Sequence, residues 1–269
     1  MLFCIQRGGI WYFSLFLLVA ILAANEFSTL VIRHKNCRIS RFLTIIASAL
    51  FYLAVSSFWG IFQQHSVLKW AVFLTALIVC LVHELYAKHE SPITSMAYTL
   101  LPILYIALPM SLMMALGYAY HNGDGQNGYS PALPLMLFLC IWANDVGAYC
   151  TGCTIGKHKL FERVSPKKTW EGSIGGGIFT LAVAGLVSHL VPSMFSAFPL
   201  PVWLGMGLVT VLSGTWGDLV ESLMKREMGI KDSGKILPGH GGILDRFDSA
   251  LLAIPAVTAY FAIILELAK

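Results

Sequence analysis

Charge is scarce in this sequence: 14 acidic and 18 basic residues among 269 make 12%, where a soluble domain carries roughly 25%. With 57% hydrophobic residues and a mean hydropathy of +0.72, the composition excludes an ordinary soluble domain and a disordered chain. Other absences narrow the chemistry. There is no Walker loop, Rossmann glycine fingerprint or nucleophile elbow, which removes those nucleotide-binding and hydrolytic templates. The six cysteines are scattered, several of them (Cys4, Cys80, Cys140) in apolar stretches where a thiol acts as a small hydrophobe. Cys150 and Cys153 form a C-x-x-C pair, but no second pair or matched histidines complete a zinc site. His83-Glu84 is followed by His89, six residues after the first histidine rather than four, so the zincin spacing fails. Internal repeats, heptads and low-complexity linkers are missing too, and no segment is long enough for a separate soluble domain.

What is present is a series of long apolar runs. A spanning helix needs about 20 largely apolar residues, and eight segments qualify: Ile10 to Ile32, Phe42 to Phe62, Val67 to Ala87, Met96 to Tyr120, Ala132 to Thr151, Ile174 to Phe195, Pro201 to Leu223 and Ser249 to Ala268. The expected fold is therefore all-α, a polytopic integral membrane protein with about eight transmembrane helices forming one domain over residues 1–269. The run from Ile10 to Ala24 has the look of a secretory signal, but seven further spans make it a first membrane helix.

Basic residues orient the bundle, because cytoplasmic loops retain Lys and Arg. Arg33, Lys35, Arg38 and Arg41 fall in the first loop and Lys88 in the third. Lys157, Lys159, Arg163, Lys167 and Lys168 fall in the fifth, and Lys225, Arg226, Lys231, Lys235 and Arg246 in the seventh. Fifteen of the eighteen basic residues thus lie in odd loops, which puts those loops in the cytoplasm and both termini across the membrane. The net charge of +4 suits a surface that meets anionic lipid. The cell (inner) membrane, with the working face toward the cytoplasm, is the expected location.

The chain divides functionally. Residues 1–131 supply membrane helices with few acids, whereas residues 132–269 gather polar groups in and beside their spans. Asn144 and Asp145 lie inside a predicted span, where an ionisable group is a functional hypothesis by default; an inter-helix hydrogen bond beside a lysine is the plainer account. Lys167 and Lys168 precede Trp170, Glu171 and a helix start, a suitable setting for an anion, although any cytoplasmic loop is basic. Gly175 to Gly177 read as close helix packing rather than a phosphate loop. Asp218, Glu221, Ser222 and Lys225 recur at spacings of three and four, on one helix face. An ion pair between Glu221 and Lys225 accounts for two of them and leaves Asp218 unexplained.

Asp245, Arg246 and Asp248 open the last helix after a turn-rich segment. Asp248 alone reads as a cap, but converging carboxylates at one membrane depth suggest a hard cation bound through oxygen, and magnesium prefers one or two carboxylates plus phosphate oxygens. His240, beside Gly241 and Gly242, either donates to a phosphate or shapes the turn. Carboxylates for a metal, cations for phosphates and a membrane surface together describe phosphoryl or nucleotidyl transfer with a lipid partner. Nothing in the pattern indicates nucleic acid.

These residues carry a resemblance. Ser222 to Asp248 follows S-x-x-K-R, four residues, K-D, then P-x-H-G-G-x-x-D-R-x-D at every position. Upstream stand Asn144-Asp145 with Ala148-Tyr149, the run from Ser165 to Gly172, and Gly217-Asp218. In these the chain resembles the phosphatidate cytidylyltransferase (CDP-diacylglycerol synthase) family, over about half its length. The resemblance implies a reaction of CTP with phosphatidic acid that needs Mg2+ and gives CDP-diacylglycerol and pyrophosphate. It assigns Asp218 and Asp245 to the metal, with Asp145 and Asp248 as weaker candidates. Lys167, Lys168, Lys225, Arg226 and Arg246 are assigned to the triphosphate or the lipid phosphate, undivided between them, and Lys225 and Arg226 to catalysis with the two aspartates. Asn144, Lys231 and His240 join the substrate-binding set.

Family members often begin with a short basic segment and an extra helix before an acidic-aromatic pair such as Glu26-Phe27, so this chain reads as one helix short at its start. A membrane homodimer is also expected. The rivals are a CTP-dependent kinase of a lipid alcohol, which releases CDP, and a transporter, whose acids line an ion path at the midplane.

Overall fold

The computed structural model describes residues 1–35, 39–59, 65–87, 90–119, 128–234 and 241–267. Helices carry almost all of this chain: α1 (Leu2–Arg7), α2 (Gly9–His34), α3 (Arg41–Ser56), α4 (Ser66–Ala87), α5 (Pro92–Pro102), α6 (Leu108–Tyr118), α7 (Ala132–Ile155), α8 (Trp170–Leu190), α9 (Pro192–Phe195), α10 (Leu200–Glu227) and α11 (Leu244–Leu267). Seven segments are long and apolar enough to cross a membrane, and α3 is a shorter apolar helix beside them. In lipid the backbone must satisfy its own hydrogen bonds, which is why apolar runs of this length become helices.

Two departures from the expected spans have local causes. The fourth span is α5 and α6 joined through a π-helical turn at Ile103–Ala107. Pro109 has no N–H to offer the Tyr105 carbonyl one helical turn back, and the ladder widens at that point. The second span ends at Ser56 rather than Phe62. There the Ser57 hydroxyl donates to the Ala54 carbonyl at 2.5 Å, a local bond that competes with helix continuation; residues 60–64 lie outside the described chain.

The fifth loop is more ordered than its sequence suggests. It forms a hairpin of β1 (Lys159–Phe161) and β2 (Ser165–Thr169), antiparallel, with Lys159 opposite Thr169 and Phe161 opposite Ser165. The first turn of α8 pins it. Thr169 caps that helix by accepting from the Gly172 amide at 3.1 Å, and Glu171 accepts from the Lys157 amide at 3.2 Å and from the His158 amide and ring.

The main core joins α2, α6, α7, α10 and α11 through Phe16, Met110, Met136, Phe138, Trp203, Leu251 and Ile254. Trp203 is fully buried and its indole N–H donates to the Phe195 and Phe198 carbonyls, so its polar atom is satisfied. Small residues let the motif-bearing helices approach closely. A Cβ on Gly176 of α8 would lie 2.7 Å from Asn144 Oδ1 and 2.8 Å from the Asn144 carbonyl of α7. One on Gly217 of α10 would lie 2.7 Å from the Asp248 carbonyl of α11. Gly175 to Gly177 are therefore helical packing residues.

Candidate active site

Three helices and the hairpin converge. Helix α10 supplies Asp218, Glu221, Ser222, Lys225 and Arg226, α11 supplies Asp245, Arg246 and Asp248, α7 supplies Asn144 and Asp145, and β2 supplies Lys167 and Lys168. The close approach at Gly217 brings the α10 and α11 acids together. Asp218, Glu221 and Asp248 each present one oxygen within 4.8 Å of the others. Lys168 Nζ lies 2.5 Å from Asp218 Oδ2, and Ser222 donates to Asp218 Oδ1 at 3.2 Å. Lys225 bridges Glu221 Oε2 at 2.5 Å and Asp245 Oδ1 at 2.8 Å.

Glu221 is 2% exposed, and its Oε1 finds no hydrogen-bond donor. A buried carboxylate oxygen left so is costly. An oxygen-seeking cation among these three acids would satisfy it, so the residues present fit a divalent metal.

Asp245 stands differently. Its Oδ1 holds Lys225, while its Oδ2 accepts from the Ser233 amide at 2.8 Å and the Gly242 amide at 2.9 Å and lies 2.9 Å from the Ser233 hydroxyl oxygen. It is the anchor of the connection between α10 and α11. Arg226 is a second clasp. Its Nε donates to the Val164 carbonyl at the hairpin turn and its Nη1 to the Ile230 carbonyl, tying the two basic loops together.

Two cavities meet at Asp145. One, of about 400 Å³, is lined by Asp145, Asp218, Asp245, Arg246 and Asp248, with walls that include Phe138, Trp142 and Phe247. The other, of about 220 Å³, is lined by Asn144, Asp145, Tyr149, Lys167, Lys168 and Ser173. Asn144 is buried with its Oδ1 unpartnered. Arg246 and Lys167 are exposed at the rims, and Lys231, also exposed, lines neither cavity. His240 lies outside the described residues.

Motif reasoning named Glu26 only as half of an acidic-aromatic pair and gave it no role in the site; it stands on α2, in the half with few acids. It is 4% exposed and accepts from the Ser233 hydroxyl, the Ile243 amide at 2.9 Å and the Leu244 amide at 3.2 Å. It thus caps the start of α11 from another helix. A lone acid within an apolar run is the signal that marks it. Glu221 was visible by its spacing but already explained by its ion pair.

The description "Cytidylyltransferase family" matches residues 1–264. The chain belongs to the cytidylyltransferase family. Membership makes it a CTP-dependent nucleotidyltransferase, and the family stretch takes in every helix named above but for the last three residues of α11. Its relatives include proteins named phosphatidate cytidylyltransferase. One from Staphylococcus haemolyticus is 38% identical over 66% of this chain and 63% of its own length. Those from Staphylococcus saprophyticus and Staphylococcus epidermidis are 34% identical over 93% of this chain and 89% of theirs.

Proposed function

We propose that this family member transfers CMP from CTP to phosphatidate, forming CDP-diacylglycerol and pyrophosphate for phospholipid synthesis. The observation that carries the reading is the meeting of a lysine-lined cavity and an aromatic-walled one at Asp145, beside the cluster of Asp218, Glu221 and Asp248. Two anionic substrates need separate cationic seats and one shared reaction point. Lys167 and Lys168 in the smaller cavity take the triphosphate. Arg246, among the aromatic walls of the larger one, takes the lipid phosphate while the acyl chains stay in the bilayer.

The phosphatidate phosphate is already anionic near neutral pH. One of its oxygens forms the new bond to the α-phosphorus of CTP, and the bond from that phosphorus to the β-phosphate oxygen breaks, releasing pyrophosphate. No strong protein base is required, and catalysis reduces to alignment and charge neutralisation. Asp218, Glu221 and Asp248 would hold the divalent metal, magnesium by its preference for hard oxygen ligands, and when bound it would neutralise triphosphate charge. Lys168 exchanges its carboxylate partner, Asp218, for phosphate oxygens as substrate arrives, and Lys225 moderates the charge of Glu221. Asp245 holds Lys225 and the loop in place.

The working face is cytoplasmic in this reading, in the cell membrane. Its support is the junction through Arg226 of the two most basic loops, which the positive-inside tendency keeps on that side. The test supplies purified, detergent-solubilised protein with phosphatidate, labelled CTP and magnesium. Lipid-extractable cytidine with equimolar pyrophosphate is the expected result. CTP consumed to CDP when lipid alcohols are supplied, with no cytidine in the lipid, would overturn it in favour of a kinase.

A further inference from the structure

We propose that Glu26 is a positioning residue that tunes the cation affinity of the three-carboxylate cluster from the opposite half of the chain, acting through Ser233, Asp245 and Lys225. The inference rests on the proposed transfer reaction for its kinetic readout alone.

A helix start is ordinarily capped by Ser, Thr, Asn or Asp from its own segment. Here the cap is a buried glutamate from a different membrane helix, an expensive choice for closing a turn. Its contacts explain the choice, because they continue into the site. The Ser233 hydroxyl donates its single proton to Glu26 Oε1 while its oxygen lies 2.9 Å from Asp245 Oδ2, and the Ser233 amide donates to that same Oδ2, so one serine links the two carboxylates. The Ile243 and Leu244 amides on Glu26, with the Gly242 amide on Asp245, lock the backbone that presents Asp245.

Asp245 Oδ1 in turn holds Lys225 at 2.8 Å, and the same ammonium is 2.5 Å from Glu221 Oε2. Lys225 is therefore shared between Asp245 and a member of the cluster. Loosening Asp245 lets the ammonium settle on Glu221, which withdraws negative charge from Asp218, Glu221 and Asp248. The glutamate on α2 thereby sets how much charge the cluster can offer a cation.

Glu26→Gln keeps the shape but turns one acceptor into a donor facing groups that already donate. Groups supporting metal ligands typically change affinity by about 10- to 100-fold when replaced. The half-saturating magnesium concentration for lipid labelling should rise by that factor, with the rate at saturating magnesium within about threefold of wild type. Mn2+ binding to the metal-free, detergent-solubilised full chain should weaken in parallel, a measurement that needs no turnover. Ser233→Ala should weaken affinity in the same direction, and the double variant should lose less than the product of the two single losses, because the pair shares one hydroxyl.

If Glu26→Gln accelerates amide exchange at Ile243 and Leu244 but leaves the Mn2+ affinity and the magnesium midpoint at wild-type values, Glu26 is a cap and nothing more, and the proposal falls. Should Glu26→Gln fail to accumulate, Ser233→Ala carries the test, and a wild-type Mn2+ affinity in that variant also overturns it. A wild-type chain that makes no CDP-diacylglycerol would refute the proposed reaction, while the Mn2+ measurements would still decide the role of Glu26.

Discussion

Helices α2 and α4 are almost equally apolar, and each buries one glutamate, Glu26 at 4% exposure and Glu84 at 3%, yet it is α2 that reaches the candidate site. Half of the apolar window of α2 is buried inside the protein, against 11% for α4. The first helix packs along α3, α6 and the π-turn and touches α11. The other lies at the edge on α3 and α5, with Leu74, Ile78 and Val82 left facing outward and Glu84 beside His83 at 3.8 Å. Hydropathy says that a helix is in the membrane. Which of its residues matter depends on the helices it meets there.

That contrast can be broken or sharpened by substitution, beginning with the site that α2 serves. Asp218→Asn removes a cluster charge and the partner of Lys168 at nearly constant volume. Lipid labelling should fall by roughly 10³-fold, with membrane accumulation unchanged; a variant retaining a tenth of wild-type activity would detach Asp218 from the chemistry. Gly217→Ala forces a methyl group against the Asp248 carbonyl. Overpacking of this kind destabilises by about 1–3 kcal/mol, so the midpoint of thermal unfolding should drop and activity with it.

Lys167→Ala should raise the KM for CTP about tenfold, with kcat within a fewfold of wild type, as expected for a phosphate contact made in both ground and transition states. An unchanged KM would leave Lys167 as a topological charge. The comparison itself is tested by pairing Glu26→Gln with Glu84→Gln under limiting magnesium. The first should lose about tenfold or more and the second less than about twofold. Equal losses would mean that the burial of a membrane glutamate matters more than its address.

Much of this was legible in the residues. The apolar runs located most of the spans to within a turn or so of helix, the end of the second excepted, and the spacing of Asp218, Glu221, Ser222 and Lys225 placed them on one helical face. The signature from Ser222 to Asp248 indicated the chemistry, because its charges are too costly beside a bilayer to be incidental. The hairpin was not legible, since Lys159 to Thr169 has charge and a proline where strands usually show alternation, and it is held by Thr169 and Glu171 from the next helix. Nor was the attachment of Asp245 to Lys225 and the loop amides. Asp245 and Asp248 are both spaced to share a face, and whether an oxygen points to a neighbouring acid or to a loop amide depends on the loop.

By itself the sequence determined the solvent, the helices and the family, because hydropathy, helical period and motif spacing act over a few turns of chain. Tertiary structure alone decided that Asp248 joins Asp218 and Glu221, that Asp245 faces Lys225 and Ser233, and that Glu26 closes the arrangement from α2. Those are contacts between helices distant in sequence. Their geometry follows from how closely glycines such as Gly217 allow the helices to approach, which no local pattern encodes.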